Sequence, residues 1–288
     1  MNRGYVMIII SMLLWGSIGL FVREINQPPE VIVFFRVFIA FISMLFIGRI
    51  NKEKINNKLV KKDLLYLLFG GIFLSLNWMF FFKAIKTTTI ASATLSYYTA
   101  PVIVTYLSVI ILKEVLNKKT LLAVFLSFLG IIIMILNPDV LNENFNSIGV
   151  LYGLIAALFY ALVTISGKKL SNISSKKIVL IQTLVASIMF LPALKNLNDF
   201  DMISFIFLLI IGIIHTSLAL TLYFEGIKKI KVQHVGVLSY IDPLSAVIFG
   251  IIFLKEIPSI PTIIGGIFIL LSTYVILKRK NKLKKKTA

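Results

Sequence analysis

The chain has no cysteine. That removes disulfides, thiolate metal sites and cysteine nucleophiles together. Histidine is almost as scarce, with only His215 and His234 among 288 residues, so a histidine-based metal site is not expected. Acidic residues number 12 against 30 basic ones, which leaves a net charge of +18. Long polar stretches are missing, so no separate soluble domain fits. Also absent are a phosphate-binding loop, a His-Glu-x-x-His pair and a Gly-x-Ser-x-Gly elbow. Those absences argue against ATP-driven pumping and against metalloprotease or serine-hydrolase chemistry.

Apolar residues are abundant. They make up 58% of the chain, charged residues only 15%, and mean hydropathy is +0.96. Soluble domains sit nearer about 45–50% and about 25%. The composition describes an integral membrane protein. Runs of about 17–25 apolar residues are candidate spanning helices. Ten occur, near Gly4–Val22, Val31–Gly48, Leu64–Phe82, Ile90–Leu112, Thr120–Leu136, Ile148–Gly167, Ile178–Leu194, Met202–Phe224, Val232–Leu254 and Pro261–Leu277. Short linkers separate them, punctuated by Pro28-Pro29, Asn137-Pro138, Pro192 and Pro258. The first run lacks an Ala-x-Ala exit and passes into Arg23-Glu24, so it reads as a retained helix rather than a cleaved signal.

Basic residues fix the expected orientation. With the N-terminus in the cytoplasm, inside segments hold 24 of the 30 Lys and Arg, and outside loops hold five. Both termini are therefore predicted inside the cell membrane, and the basic tail 278–288 on anionic lipid. The basic loops lack interleaved aromatics, so no nucleic-acid partner is expected. The lipid bilayer and a small-molecule substrate are the expected partners, with no cofactor. A monomer and a homodimer fit the sequence alike.

The segment Lys83–Glu114 overlays Glu225–Glu256 without a gap, with eight identities in 32 positions. They include Tyr98/Tyr240, Pro101/Pro243 and the two Leu-Lys-Glu triplets. Weaker matches pair Trp15 with Tyr160, Arg23 with Lys168, and the Arg36 region with Gln182. Two five-helix units follow, over 1–138 and 147–277. Five is odd, so the second enters the membrane inverted. The predicted fold class is thus an all-α membrane protein: ten helices in two inverted repeats around a central cavity. Inverted repeats of this kind typify secondary transporters, whose site lies near midplane at the repeat interface. Pro101 and Pro243 fall near the centres of their helices and are read as helix kinks.

These residues also carry a resemblance. Trp15-Gly16-Ser17, Pro101-Val-Ile with Leu112-Lys-Glu114, His215-Thr-Ser-Leu-Ala, Leu222-Tyr-Phe, Leu238-Ser-Tyr-Ile-Asp-Pro243 and Leu254-Lys-Glu256 resemble ten-helix EamA-type members of the drug/metabolite transporter superfamily. The resemblance spans essentially the whole chain. It implies a central cavity and export or uptake of small metabolites. Many relatives have Gly where this chain has Lys113 and Lys255, and these lysines are expected to snorkel to the interfaces.

Asp242 is the sharpest candidate for chemistry. A charged Asp at the middle of a membrane helix costs about 2.5–3.5 kcal/mol on insertion scales, and Pro243 follows it at once. It is either a counter-ion or proton acceptor for transport, or a carboxyl that holds the kink. Helical spacing puts it on a face with Ser239, Ser245 and Phe249. His215 either binds substrate and exchanges protons with Asp242, or is a buried histidine satisfied by the backbone. Arg36 is expected to snorkel, with anion binding as the other reading. Trp15, Asn77, Trp78, Tyr97, Tyr98, Tyr160 and Tyr240 complete the candidate substrate site, although Trp78 beside Phe80–Phe82 also suits packing. Gly70-Gly71, Gly265-Gly266 and the Ser11/Trp15/Gly19 spacing predict close helix contacts. Glu114 and Glu256 read as boundary residues that pair with a lysine or with backbone.

The expected function is secondary active transport of amino acids or related zwitterionic or cationic compounds by alternating access. Proton coupling or exchange would drive it, with export favoured. A passive channel or a non-transporting receptor is the alternative. An intramembrane enzyme fits less well, because an aspartyl protease needs two acids sharing a proton and Asp242 is the only Asp inside a predicted helix.

Overall fold

A computed structural model describes residues 2–50, 60–88, 90–135, 146–199, 201–255, 257 and 259–284. Expectations for Asn137-Pro138, Glu256, Pro258 and the end of the basic tail lie outside the described residues. The helices are α1 (Arg3–Val22), α2 (Pro29–Ile50), α3 (Lys61–Thr87), α4 in two pieces (Ile90–Tyr97, α4a, and Ala100–Leu112, α4b), α5 (Lys118–Ile135), α6 (Ser147–Lys169), α7 (Ser175–Phe190), α8 (Met202–Lys229), α9 in two pieces (Val232–Ser239, α9a, and Ile241–Leu254, α9b), and α10 (Ile260–Lys284). Nine spans among the described residues are long and apolar enough to cross a membrane. The tenth, α5, has 18 residues. The protein is a multi-pass all-helical membrane protein, the only kind of open bundle that satisfies its backbone inside lipid.

Helix starts follow local chemistry. Asn2 caps α1 by accepting from Gly4 N at 2.9 Å, and Asn146 caps α6 by accepting from Ile148 N at 2.9 Å. Asp201 caps α8, accepting from Ser204 N at 2.6 Å and Ser204 Oγ at 2.8 Å. These bonds, the backbone one first, hold the Asp201 carboxyl below the ordinary carboxylate range.

The sequence predicts α4 and α9 as single helices kinked at proline. Each carries a tightened turn just before its proline, within a span that continues through it. Thr99 N bonds back to Ser96 O at 3.3 Å, and Tyr240 N to Val237 O at 3.3 Å. Both are i→i−3 bonds that tighten the turn where proline denies the next i→i−4 bond. Asp242 then lies in the first turn of α9b, one break away from Ser239. Tyr240 keeps right-handed helical backbone at the break, with φ −72° and ψ −8°. α8 also departs from plain helix: Ile211–Leu218 is π-helical, widening it around His215.

Packing is mostly between the two halves of the chain. α3 packs on α6 as α8 packs on α1, α3 on α7 as α8 on α2, and α4 on α6 as α9 on α1, while the α2–α7 and α5–α10 pairs join equivalent helices and are their own counterparts. Each of these contacts has its counterpart with the halves exchanged. Small residues allow close approach. A Cβ on Gly16 would lie 2.0 Å from Ser245 Oγ and 2.6 Å from the Asp242 carbonyl. One on Gly71 would lie 2.7 Å from Val185 Cβ, and one on Gly130 2.7 Å from the Gly265 carbonyl. Gly19, expected at a contact, has nothing within 4 Å. Gly4 and Gly16 make the close contacts on α1, and Ser11 joins α8 by donating to Ala219 O at 2.9 Å.

Candidate substrate site

The two broken helices cross where their interruptions meet. Tyr240 is fully buried, and its hydroxyl donates to the Tyr98 carbonyl at 3.0 Å. These two residues are equivalents in the repeat. A Cβ on Gly236 of α9a would come within 3.0 Å of the Pro101 carbonyl of α4b. Around this crossing stand most of the predicted site residues.

A chain of aromatics links the helices. Trp15 (α1) lies 5.1 Å from Tyr223 (α8), ring centre to ring centre, and Tyr223 lies 6.3 Å from Tyr160 (α6). Tyr160 meets Tyr97 (α4a) edge to face at 6.1 Å, and Tyr97 lies 5.8 Å from Tyr98. Hydroxyls join them: Tyr223 to Tyr160 at 3.0 Å, Tyr160 to Ser239 at 3.0 Å, and Thr164 to Tyr223 at 2.8 Å. Trp15, Tyr97, Tyr98 and Tyr160 are half-buried and present a surface. Tyr240, Ser239 and Asn77 are buried behind it. The Asn77 amide donates to the Ala156 carbonyl at 2.9 Å and to Tyr97 OH at 3.5 Å, so it holds Tyr97 in place.

Asp242 is half-buried. Its backbone carbonyl accepts from Ser245 Oγ at 2.8 Å. Among the described residues its carboxyl makes no hydrogen bond and no ion pair. It lies within electrostatic range of Tyr97, Tyr98 and Tyr160. Among the described residues, then, no side chain neutralises this carboxyl.

His215 stands apart from Asp242. It is buried, its Nε2 lies 3.0 Å from Ser17 Oγ, its carbonyl accepts from Trp15 Nε1 at 3.0 Å, and Phe21 packs on it at 4.8 Å. No described contact joins it to Asp242. Arg36 is held by residues of other helices. Its Nε donates to Thr216 Oγ1 at 3.0 Å, and its guanidinium lies 4.5 Å over the Trp78 ring. That stacking gives Trp78 a role beside the site as well as in packing.

Sequence reading left Tyr223 and Thr164 out of the site. Tyr223 shares a helical face with His215, which was the available signal. Arg36 was visible as an intramembrane charge, and only its neighbours show where it points. Among the described residues no three His, Cys, Asp or Glu side chains gather as metal ligands.

Comparison with known proteins agrees with this architecture. The EamA-like transporter family model matches twice, over residues 2–136 and 147–278. The uncharacterized transporter YxxF of Bacillus subtilis is 28% identical over 97% of this chain and 91% of its own length. An uncharacterized transporter of Archaeoglobus fulgidus is 28% identical over 94% of each chain. A solved crystal structure superposes with a TM-score of 0.84 at 17% identity, covering 97% of this chain and 98% of its own; at that identity it speaks for the fold alone. With a family model covering nearly the whole chain in two adjoining copies, this protein belongs to the EamA-like transporter family.

Proposed function

We propose that the chain is a secondary transporter of the cell membrane that moves small zwitterionic or cationic metabolites, amino acids among them, by alternating access. Asp242 is the observation that carries the reading. An acid is costly at this depth, yet its carboxyl stands partly exposed and unpartnered at the crossing of two broken helices. A cationic group of the cargo, or a proton, would meet it there. The tyrosines beside it supply faces for cation–π and apolar contact. The two five-helix units, 1–138 and 147–277, act as inverted repeats that rock about this crossing, and the exchanged packing of the halves supports that symmetry. Both termini face the cytoplasm. A proton gradient or exchange drives the cycle, in the direction of export.

Counterflow in proteoliposomes tests the carrier reading. Preloaded amino acid should accelerate uptake of the labelled compound, and a channel or a receptor gives no such trans-stimulation. Asp242→Asn should reduce counterflow by about tenfold or more with folding and insertion intact. Wild-type turnover in that variant across pH 5–8 would falsify the role.

A further inference from the structure

Asp242 has an opposite number. Arg36, on α2, two helices before the first break, is a cation at similar cost inside the bilayer. Such an arginine is ordinarily neutralised by a carboxylate or reaches the membrane surface. The guanidinium of Arg36 carries five N–H donors, and among the described residues only Nε is used, on Thr216. No described carboxylate pairs with it. The residue is half-buried and its plane is held against Trp78.

The Thr216 contact has a fixed polarity. Its hydroxyl hydrogen goes to the Ile211 carbonyl at 2.9 Å, five residues back along the π-helical segment. The oxygen is left as an acceptor, which matches the Arg36 Nε. The π-helical turn and the indole face thus aim the guanidinium and leave its two terminal nitrogens unspent. A planar fork so held suits a carboxylate. Tyr97 lies within electrostatic range of both Arg36 and Asp242. Gly16, beside Trp15, packs against the Asp242 carbonyl, Trp15 donates to the carbonyl of His215, and the next residue, Thr216, holds Arg36; among the described residues the two charges do not pair with each other. Had both served only to hold the fold, pairing them would have lowered their cost.

We propose that Arg36 is the second pole of the site: it receives the carboxylate of a zwitterion whose ammonium lies at Asp242. The site then selects molecules bearing both charges over simple amines and simple acids. This rests on the transporter reading for the presence of cargo at Asp242, and goes beyond it in assigning the anionic half.

The test uses the full chain in nanodiscs. Its only two tryptophans, Trp15 and Trp78, both stand at the site, so intrinsic fluorescence reports binding there. The probes are L-leucine, 3-methylbutylamine, which lacks the carboxylate, and 4-methylpentanoate, which lacks the ammonium. Wild type should bind L-leucine at least about tenfold more tightly than either analogue. Arg36→Gln should weaken L-leucine to the level of the amine, with amine affinity kept within about twofold, and Arg36→Lys should restore part of the difference. Retained amine binding also shows that the variant is folded. If Arg36→Gln fails to fold, Thr216→Val, which removes the acceptor that aims the guanidinium, should give the same split severalfold. Equal wild-type affinity for L-leucine and the amine overturns the proposal, as does an equal loss of both in the variants or no binding of L-leucine. Counterflow of the amine that survives in Arg36→Gln leaves the transporter reading standing when the second pole fails; absence of counterflow for all three probes in wild type sinks that reading itself.

Discussion

Lys113 and Lys255 occupy equivalent places at the ends of α4 and α9, and both adopt left-handed backbone, with φ of 55° and 57°. For a residue with a Cβ that region costs about 1–2 kcal/mol. Glycine enters it freely. Lys113→Gly should therefore melt at or above wild type, and Lys113→Val several degrees below, since β-branching fits this region worst. Equal melting of the two variants would show the turn to be unstrained. At this scale the sequence is an uneven guide. The matched Leu-Lys-Glu triplets were plain in it, and the backbone they adopt was not. Asp242 announced itself because a lone intramembrane acid has few idle explanations. Arg36 suggested snorkelling because an arginine near a helix end has a cheap exit to water. Thr216 and Trp78, on other helices, hold it.

That left-handed lysine also shapes an element. It ends α4b with a turn that carries Glu114 across to α9a. There the Glu114 carboxylate accepts from Val232 N at 3.0 Å and Gln233 N at 3.3 Å. The local N-cap residue, Lys231, makes no side-chain cap, so the first turn of α9a is capped from the other half of the chain. Loss of an N-cap costs about 1 kcal/mol. Glu114→Ala should lower the melting temperature by a few degrees and Glu114→Gln by less, measured on purified protein. No change in either would mean that water serves these amides equally well. The breaks in α4 and α9 were legible as kinks at Pro101 and Pro243, because the missing donor is a property of proline alone. The tightened turns themselves were not, nor was the π-helical turn of α8. Both depend on what the freed carbonyls and hydroxyls find on neighbouring helices.

For the molecule as a whole, the packing joins the halves rather than each half to itself. Exchange of partners between the halves is what an inverted pair of five-helix units would produce, and it places the crossing of α4 and α9 at the centre. The orientation in the membrane is checkable directly, because the chain has no native cysteine to interfere. Asn196→Cys, beyond α7, should react with an impermeant thiol reagent on intact cells. Ser174→Cys, between α6 and α7, should react only after permeabilisation. The reverse pattern would overturn cytoplasmic termini.

What the sequence determined by itself was the solvent and the architecture. Long apolar runs and sparse charges are summed over many residues, so no single contact can reverse them. The offset repeat likewise needs only the order of residues. Which side chains are spent and which remain open was decided by tertiary structure alone. Tyr240 and Asn77 are consumed by backbone carbonyls of other helices, whereas among the described residues the Asp242 carboxyl and the fork of Arg36 are not. A hydrogen bond is settled by whatever stands about 3 Å away, and here that neighbour comes from a helix distant in the chain.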